Sequence, residues 1–171
     1  MLENFTIRAA AEADATLILS FIRGLAEYEK LSHEVVATEE SLRESLFGNH
    51  RVAEVLIGEW NQTPVAFALY FHNFSTFLGR AGIYLEDLFV KPELRGKGIG
   101  KAMLSYLACV AMERNCGRLE WSVLNWNEPA LRFYRSLGAE LMDEWTVHRV
   151  TGTALEQLAG EFRPTFTTLN T

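Results

Sequence analysis

The chain is poor in the residues that mark several common classes of protein. It has 2 cysteines and 4 prolines among 171 residues, and its apolar runs are short, whereas a bilayer span needs about 20 apolar residues. Cys109 and Cys116 are seven positions apart in or near one predicted helix, which makes a disulfide between them geometrically unfavourable. Their spacing is not that of a metal site either. We therefore expect a cytoplasmic protein with no metal and no membrane association.

Positive charge is also scarce. Lys and Arg total 16 against 22 Asp and Glu, a formal net charge of −6. Binding of nucleic acid requires clustered basic residues that neutralise phosphates, so we do not expect a nucleic-acid partner. An acidic protein is suited to attracting small cations, although many cytosolic proteins are mildly acidic without binding one. The N-terminus lacks the basic and then apolar layout of a secretory signal.

What is present suffices for one folded domain, since 49% of the residues are hydrophobic and 12% aromatic. Periodicity and turn residues predict strands at 5–8, 53–57, 65–71, 83–90 and 119–123, and helices at 14–28, 39–47, 98–115 and 127–137. Asp14, Thr38 and Asn127 are the expected N-caps, and Gly48 the expected left-handed residue that ends the second helix. We expect a loop at 73–82, final strands at 141–142 and 145–150, and a weak helix at 154–159. This order predicts a mixed α/β (α+β) fold with an antiparallel sheet that becomes partly parallel.

One stretch combines two unusual features. The segment Tyr84–Val90 has the composition of a buried strand but carries Glu86 and Asp87, two carboxylates that need an explanation. Neighbouring residues on a regular strand face opposite sides, so only one carboxylate can face a given substrate unless a bulge redirects them. Pro92 then ends the strand, because it has no N–H for the sheet.

A glycine-rich turn follows and leads into a helix. Gly96, Gly98 and Gly100 alternate with other residues immediately before an apolar-periodic segment. Such a turn is an anion site, because backbone N–H groups point outward and the helix dipole favours negative charge. The sequence thus predicts a diphosphate-bearing cofactor held beside a pair of carboxylates. The alternative is a glycine turn without a phosphate.

The hexapeptide Arg95–Gly100 resembles the acetyl-CoA signature of the GNAT acetyltransferases, (Arg/Gln)-x-x-Gly-x-(Gly/Ala). The likeness extends to Tyr84–Val90, Trp126–Pro129, Phe133-Tyr134 and Gly138-Ala139, and there it is similar to the spermidine/spermine (diamine) N-acetyltransferases, a subfamily that includes thialysine N-acetyltransferase-like members. It covers about residues 5 to 150.

The resemblance implies a GNAT fold, in which a mixed and mostly antiparallel splayed sheet has helices on both faces, and a homodimer. It implies a GNAT domain over residues 1–150, with residues 151–171 forming a helical turn and tail that pack on it. The acetyl donor is then acetyl-CoA, with no metal, and the partner is a small-molecule amine.

The resemblance also assigns residues to the cofactor and to catalysis. Tyr134 becomes the general acid that protonates the CoA thiolate, and it shares a helical face with Asn127 and Ala130. The alternative is that Tyr134 packs in the core. The expected cofactor-binding residues are Leu88, Phe89, Val90, Arg95, Gly96, Lys97, Gly98, Ile99, Gly100, Lys101, Asn127, Pro129 and Ala130.

On the acceptor side, Glu86 is expected to bind the amine and to relay its proton. The expected substrate-binding residues are Tyr28, Glu29, Glu86, Asp87, Glu120, Trp121, Ser122 and Glu144. Several of these residues have a structural alternative. Asp87 could be a carboxylate satisfied by backbone donors, and Trp121 could be a core aromatic residue. Tyr28 and Glu29 could be an ordinary polar end of a helix. The mammalian polyamine enzyme carries a histidine where this chain has Glu120, which leaves the acceptor open.

Three functions remain at this point. The first is N-acetylation of a polyamine, a diamine or a thialysine-like amino acid by direct attack on acetyl-CoA. The second is acetylation of protein lysines or N-terminal amines, which needs an open peptide groove. The third is a non-catalytic CoA-binding domain, against which the presence of Tyr134 and Glu86 argues.

Overall fold

The computed structural model describes residues 2–162, and the chain divides into two compact units between Leu124 and Asn125. The first unit contains β1 (Phe5–Ala9), α1 (Ala15–Glu29), α2 (Glu39–Phe47), β2 (Glu54–Trp60), β3 (Thr63–Ser75), β4 (Arg80–Val90), α3 (Ile99–Glu113) and β5 (Leu119–Trp121). The second contains α4 (Glu128–Ser136) and α5 (Gly152–Gly160). The predicted division at residue 150 stays a prediction.

The first unit is built on a five-stranded sheet in the order β1-β2-β3-β4-β5. Neighbouring strands are antiparallel except β4 and β5, which are parallel. Asn61 and Gln62 both have positive φ values, of 48° and 63°, so they form the two-residue turn that suits the twist of the β2–β3 hairpin. The predicted mixed α/β sheet is confirmed.

Helices cover both faces of this sheet. On one face Phe21 of α1 stacks on Phe67 of β3, with ring centroids 5.5 Å apart, and also contacts Phe89 of β4. On the other face Gly58 of β2 lies against Met103 of α3, where a Cβ would come within 3.0 Å of the sulfur. We call the face under α1 the acceptor face, after the role that the family resemblance predicts for Asp87, which lies on this face opposite Leu69.

The predicted helix starts are confirmed, with one change in chemistry. Thr38 accepts a hydrogen bond from the Ser41 backbone N–H and caps α2. Asp14 is the residue before α1, but its carboxylate makes no cap bond to that helix. It instead pairs with Arg8 at 2.7 Å, and this guanidinium lowers the pKa of Asp14.

Two local predictions in the first unit are wrong. Gly48 is extended, with φ −70° and ψ −171°, rather than left-handed. Glycine is required there for space, since a Cβ would lie 2.4 Å from the Glu44 carbonyl oxygen. The expected loop at 73–82 is mostly strand, because β3 continues to Ser75 and β4 begins at Arg80. Only residues 76–79 form the connection.

In the second unit, the helices at 127–137 and 154–159 are confirmed as α4 and α5. The strands predicted at 141–142 and 145–150 are wrong, because these residues form no strand. Their apolar side chains, such as Met142 and Trp145, are exposed. A period-2 pattern forms a strand only where another strand pairs with it, and within residues 125–162 no such partner is described. None of the helices formed by the described residues could span a membrane.

Candidate active site

The irregularity in β4 lies at Glu86. Leu69 of β3 pairs with Asp87, and the next residue, Tyr70, pairs with Leu85. Glu86 is therefore the extra residue of a β-bulge, with no partner of its own in β3. Directly opposite residues share a face, so Asp87 lies on the same face as Leu69, which packs against the core beneath α1.

The pairing of β5 with β4 ends at the same point. The last paired residues are Leu85 and Trp121, so β5 makes no described ladder contact with β4 beyond the bulge. From Glu86 to Val90, β4 is hydrogen-bonded to β3 on one side only. Backbone groups on its other side are left for a ligand, except the Val90 carbonyl oxygen, which accepts a hydrogen bond from Arg95. Leu88, Phe89 and Val90, the predicted acetyl and pantetheine contacts, belong to this segment.

Three carboxylates gather where the bulge meets the end of α1. Burial, together with the nearby charges of Glu86 and Glu29, raises the pKa of Asp87 to about 6. Burial also raises the pKa of Glu29. Across residues 2–162, none of the three is paired with a Lys or Arg side chain. Glu29 and Asp87 are half-buried and Glu86 is exposed, and a group of carboxylates without cations favours binding of a positively charged ligand.

The glycine turn after β4 has the conformation that an anion cradle needs. Gly96 and Gly98 have φ values of +75° and +86°, which glycine adopts without strain. Gly98 is the residue before α3 and makes no side-chain cap bond to this helix. The first N–H groups of α3, from Ile99 to Lys101, thus have no capping acceptor from Gly98, and Lys97 and Lys101 are exposed beside them. Gly100, the last glycine of the motif, lies within this first turn.

Arg95 is occupied within the protein. Its Nε donates to the Val90 carbonyl oxygen at 3.0 Å, and its guanidinium carbon lies 4.3 Å from the centroid of the Tyr28 ring. The structure therefore links two predicted site residues by a cation–π contact. It places Arg95 as a clamp between the ends of β4 and α1. Its contact with the cofactor stays a prediction.

Beyond Asp87 the acceptor face carries aromatic and hydroxyl groups. Phe71 pairs with Tyr84 across β3 and β4, and their rings are 5.2 Å apart. The Tyr84 hydroxyl lies 2.6 Å from the Ser122 hydroxyl. Tyr84 was not predicted as a site residue, and on a regular strand it would lie with Glu86 on the opposite face from Asp87. The bulge reverses this alternation.

Glu120 lies further along the same face and is held in a polar network. Its Oε2 accepts a hydrogen bond from Asn73 Nδ2 at 2.7 Å and lies 2.8 Å from Arg118 Nε. Sequence reasoning identified Glu120 but missed Asn73 and Arg118, although alternation along β5 would have placed Arg118 with Glu120. Trp121, the neighbour of Glu120, is half-buried and pairs with Leu85 on the opposite face.

The remaining predicted residues belong to the second unit. Asn127 is 6% exposed and accepts the Ala130 N–H at 3.3 Å, which caps α4, and Pro129 occupies the first turn. Tyr134 is half-buried on α4, with its ring centroid 5.3 Å from that of Phe133. Glu144 is exposed in the segment without regular secondary structure. The side chains of the described residues form no group suited to a metal ion.

Comparison with known proteins identifies the family. Residues 22–139 match the model of the acetyltransferase (GNAT) family. The chain is 42% identical over 166 residues to thialysine N-epsilon-acetyltransferase of Bos taurus, covering 91% of this chain and 97% of the relative. It is 32% identical over 170 residues to the human spermidine/spermine N(1)-acetyltransferase-like protein 1, covering 94% of this chain and 24% of that longer protein.

A solved structure has a similar fold. The Vibrio cholerae integron cassette protein VCH_CASS6 superposes with a TM-score of 0.77 and 29% identity, over 91% of this chain and 98% of the other. The fold, the glycine turn and the sequence relatives all indicate one conclusion. The chain belongs to the GNAT acetyltransferase family and is an N-acetyltransferase.

Proposed function

We propose that this enzyme transfers the acetyl group of acetyl-CoA, the donor that the GNAT family uses, to a primary amine of a small cationic acceptor. The acceptor is a polyamine, a diamine or a thialysine-like amino acid. Its amine attacks the thioester of acetyl-CoA directly. The relatives named for thialysine and for spermidine/spermine support an acceptor of this class.

The observation that carries the proposal is the group formed by Glu29, Glu86 and Asp87. An alkyl amine is a cation at neutral pH and must lose a proton before it attacks. Carboxylates without basic partners attract this cation, and one with a raised pKa accepts its proton more readily than an ordinary carboxylate. Asp87, with a pKa of about 6, suits acceptance of the proton. Glu86, which is exposed, suits attraction of the cation and retains the predicted role of relaying the proton through water.

Backbone groups supply most of the proposed contacts to acetyl-CoA, the acetyl donor. The segment 88–90, free of β5, supplies N–H groups for the acetyl oxygen, whose negative charge grows in the transition state. The glycine turn and the first turn of α3 suit a diphosphate, with Lys97 and Lys101 as added positive charge. Acetyl-CoA supplies the thioester, and Tyr134 is the proposed proton donor to the departing thiolate. Asn127, Pro129 and Ala130 are proposed contacts to the pantetheine arm.

Release of free thiol from acetyl-CoA tests the proposal directly. The purified enzyme is incubated with acetyl-CoA and, separately, with spermidine, putrescine, lysine and thialysine. We expect amine-dependent thiol release with at least one of them and a product acetylated on a primary amine, identified by mass spectrometry. Absence of release with every amine, although acetyl-CoA binds, would contradict it. Sedimentation of the same preparation tests the proposed homodimer.

A further inference from the structure

A line of side chains extends along the acceptor face from the carboxylates towards the start of β4. Leu69 and Asp87 are opposite one another, then Phe71 and Tyr84, then Asn73 and Gly82. Since opposite residues share a face, the line has an acidic end, an aromatic middle and a polar far end.

The far end combines both signs of charge. Arg118 and Glu120 form an ion pair in which each side chain is about one-third exposed, at 36% and 33%. Among the described residues, this is the only ionic contact of Arg118. It uses Nε alone, so the two terminal nitrogens remain available as a fork of donors. Asn73 donates to Glu120 and fixes the carboxylate.

Gly82 makes this arrangement possible. A Cβ at this position would lie 2.5 Å from Asn73 Oδ1 and 2.8 Å from Arg118 Cγ. Glycine thus lets the arginine lie directly over β4, in line with Tyr84 and Asp87. Any larger residue would push Arg118 away from this line.

We propose that Arg118 and Glu120 bind the α-carboxylate and the α-ammonium of an amino-acid acceptor whose terminal amine lies at Asp87. Among the acceptors already proposed, these two residues would select the thialysine-like amino acids, which are α,ω-diamino acids of about lysine length. This inference rests on the proposed amine acetylation and names the acceptor within it. The methylene chain lies over the rings of Phe71 and Tyr84, which are apolar and half-buried.

The length of the line fits such an acceptor. Five positions separate Gly82 from Asp87, one of them in the bulge, which corresponds to roughly 13–16 Å along the strand. A lysine-length acceptor measures about 7–8 Å from its terminal nitrogen to its carboxylate carbon, given bonds near 1.5 Å. Hydrogen bonds of about 3 Å at each end bring the total to about 13–14 Å.

Charge separates amino acids from diamines at this far end. An amino acid offers a carboxylate to Arg118 and an ammonium to Glu120, so each charged group meets its opposite. A diamine offers an ammonium alone, which Glu120 attracts and Arg118 repels. Arg118 therefore acts as a specificity residue that selects for the carboxylate.

Three acceptors that differ by one group each test the inference. Lysine is compared with cadaverine, which lacks the α-carboxylate, and with ε-aminocaproate, which lacks the α-amine. We expect Arg118→Gln to lower kcat/KM for lysine and ε-aminocaproate about 10- to 100-fold, because charge-assisted hydrogen bonds are lost. Cadaverine should react equally well or better with this variant. Arg43→Gln, which removes a surface arginine paired with Glu39 on α2, is the matched control and should change none of the three.

The outcomes distinguish failure of the role assigned to Arg118 from failure of the proposed amine acetylation. If Arg118→Gln affects lysine and cadaverine equally, or neither, the assignment of Arg118 is wrong while amine acetylation stands. If the unaltered enzyme acetylates no amine, the proposed function itself fails. Cadaverine turnover by the variant also serves as the folding control. Glu120→Gln should weaken lysine and cadaverine but spare ε-aminocaproate, and the reverse pattern would overturn the assignment of the α-ammonium.

Discussion

Tyr84 and Asp87 lie on the same face of β4 although they are three positions apart, because Glu86 is the extra residue of a bulge. On a regular strand, positions 84 and 87 would face opposite sides. The bulge places the rings of Phe71 and Tyr84 on the same face as Asp87, whose pKa is raised, and near the end of α1. It also marks the point where the pairing of β5 with β4 stops. One inserted residue thus joins the proposed acceptor side of the site to the proposed donor side.

Asp87 should lower the stability of the enzyme above pH 6. Its pKa in the folded protein is about 6, against an ordinary value of 3.8, so the folded state binds this proton more tightly than the unfolded state. The stability contributed by the proton is present at acid pH and is lost as the pH rises through about 6. Asp87→Asn should therefore increase the free energy of unfolding at pH 8 by about 2 kcal/mol, which corresponds to a rise in Tm of about 5 °C. Near pH 4 the substitution should change Tm little.

Calorimetry at the two pH values checks this, with Asp143→Asn as the control, since it removes the same charge from an exposed position. Equal shifts in both variants, or a gain at pH 4 only, would contradict the role given to burial. We also expect kcat/KM of the unaltered enzyme to rise with pH near 6, as Asp87 loses its proton, and the Asp87→Asn variant to lack this rise.

Glu86→Gln should impair use of the amine and leave the donor unaffected. Glu86 is exposed and has no described cationic partner, so loss of its charge weakens attraction of the acceptor. We expect the KM for the amine to rise about tenfold, corresponding to about 1.4 kcal/mol, with acetyl-CoA affinity unchanged. Steady-state kinetics with each substrate varied in turn decides this. Glu93→Gln, an exposed position shortly after β4, is the control, and a weakened affinity for acetyl-CoA would remove Glu86 from the acceptor side.

Local signals predicted the framework of the first unit well. Thr38 was identified as a cap because its hydroxyl and the following helix are adjacent in sequence, and strand 83–90 because its composition is distinctive. Turn residues at 61–64 indicated the hairpin, but the turn itself is only Asn61 and Gln62, so β3 begins at Thr63 rather than at 65. Gly48 was misread, since the close approach of the Glu44 carbonyl is not visible in the residue types.

What the sequence did not predict depends on pairing between distant segments. The position of the bulge is set by the register of β4 against β3, so neither Tyr84 nor Arg118 could be assigned to the face of Asp87 from alternation alone. The apolar pattern at 145–150 is that of a strand, but a strand also requires a partner. The gathering of Glu29 with Asp87 came from family resemblance, because only tertiary structure brings the end of α1 to β4.

Gly98→Ala should weaken binding of acetyl-CoA. The φ value of Gly98 is +86°, a conformation that costs an alanine about 1 kcal/mol. The added methyl group points into open space, where Leu2 alone among residues 2–162 lies within 4 Å. The methyl group then hinders approach of a diphosphate to the backbone N–H groups. We expect the KM for acetyl-CoA to rise about tenfold with the amine KM unchanged. Gly160→Ala, at an open position without a positive φ, is the control, and an equal effect of both variants would remove the turn from the donor site.

Tyr134→Phe should reduce turnover while acetyl-CoA still binds. The substitution removes the proposed proton donor to the thiolate and keeps the ring, including its contact with Phe133. General-acid catalysis contributes about 100-fold or more, so kcat should fall by about that factor. Isothermal titration should give an unchanged Kd for CoA, since the phenol acts on the leaving group and not on the diphosphate. Tyr106→Phe, an exposed tyrosine of α3, is the matched control. If kcat is unchanged in Tyr134→Phe, protonation of the thiolate must come from another group or from water, and Tyr134 then has only a packing role on α4.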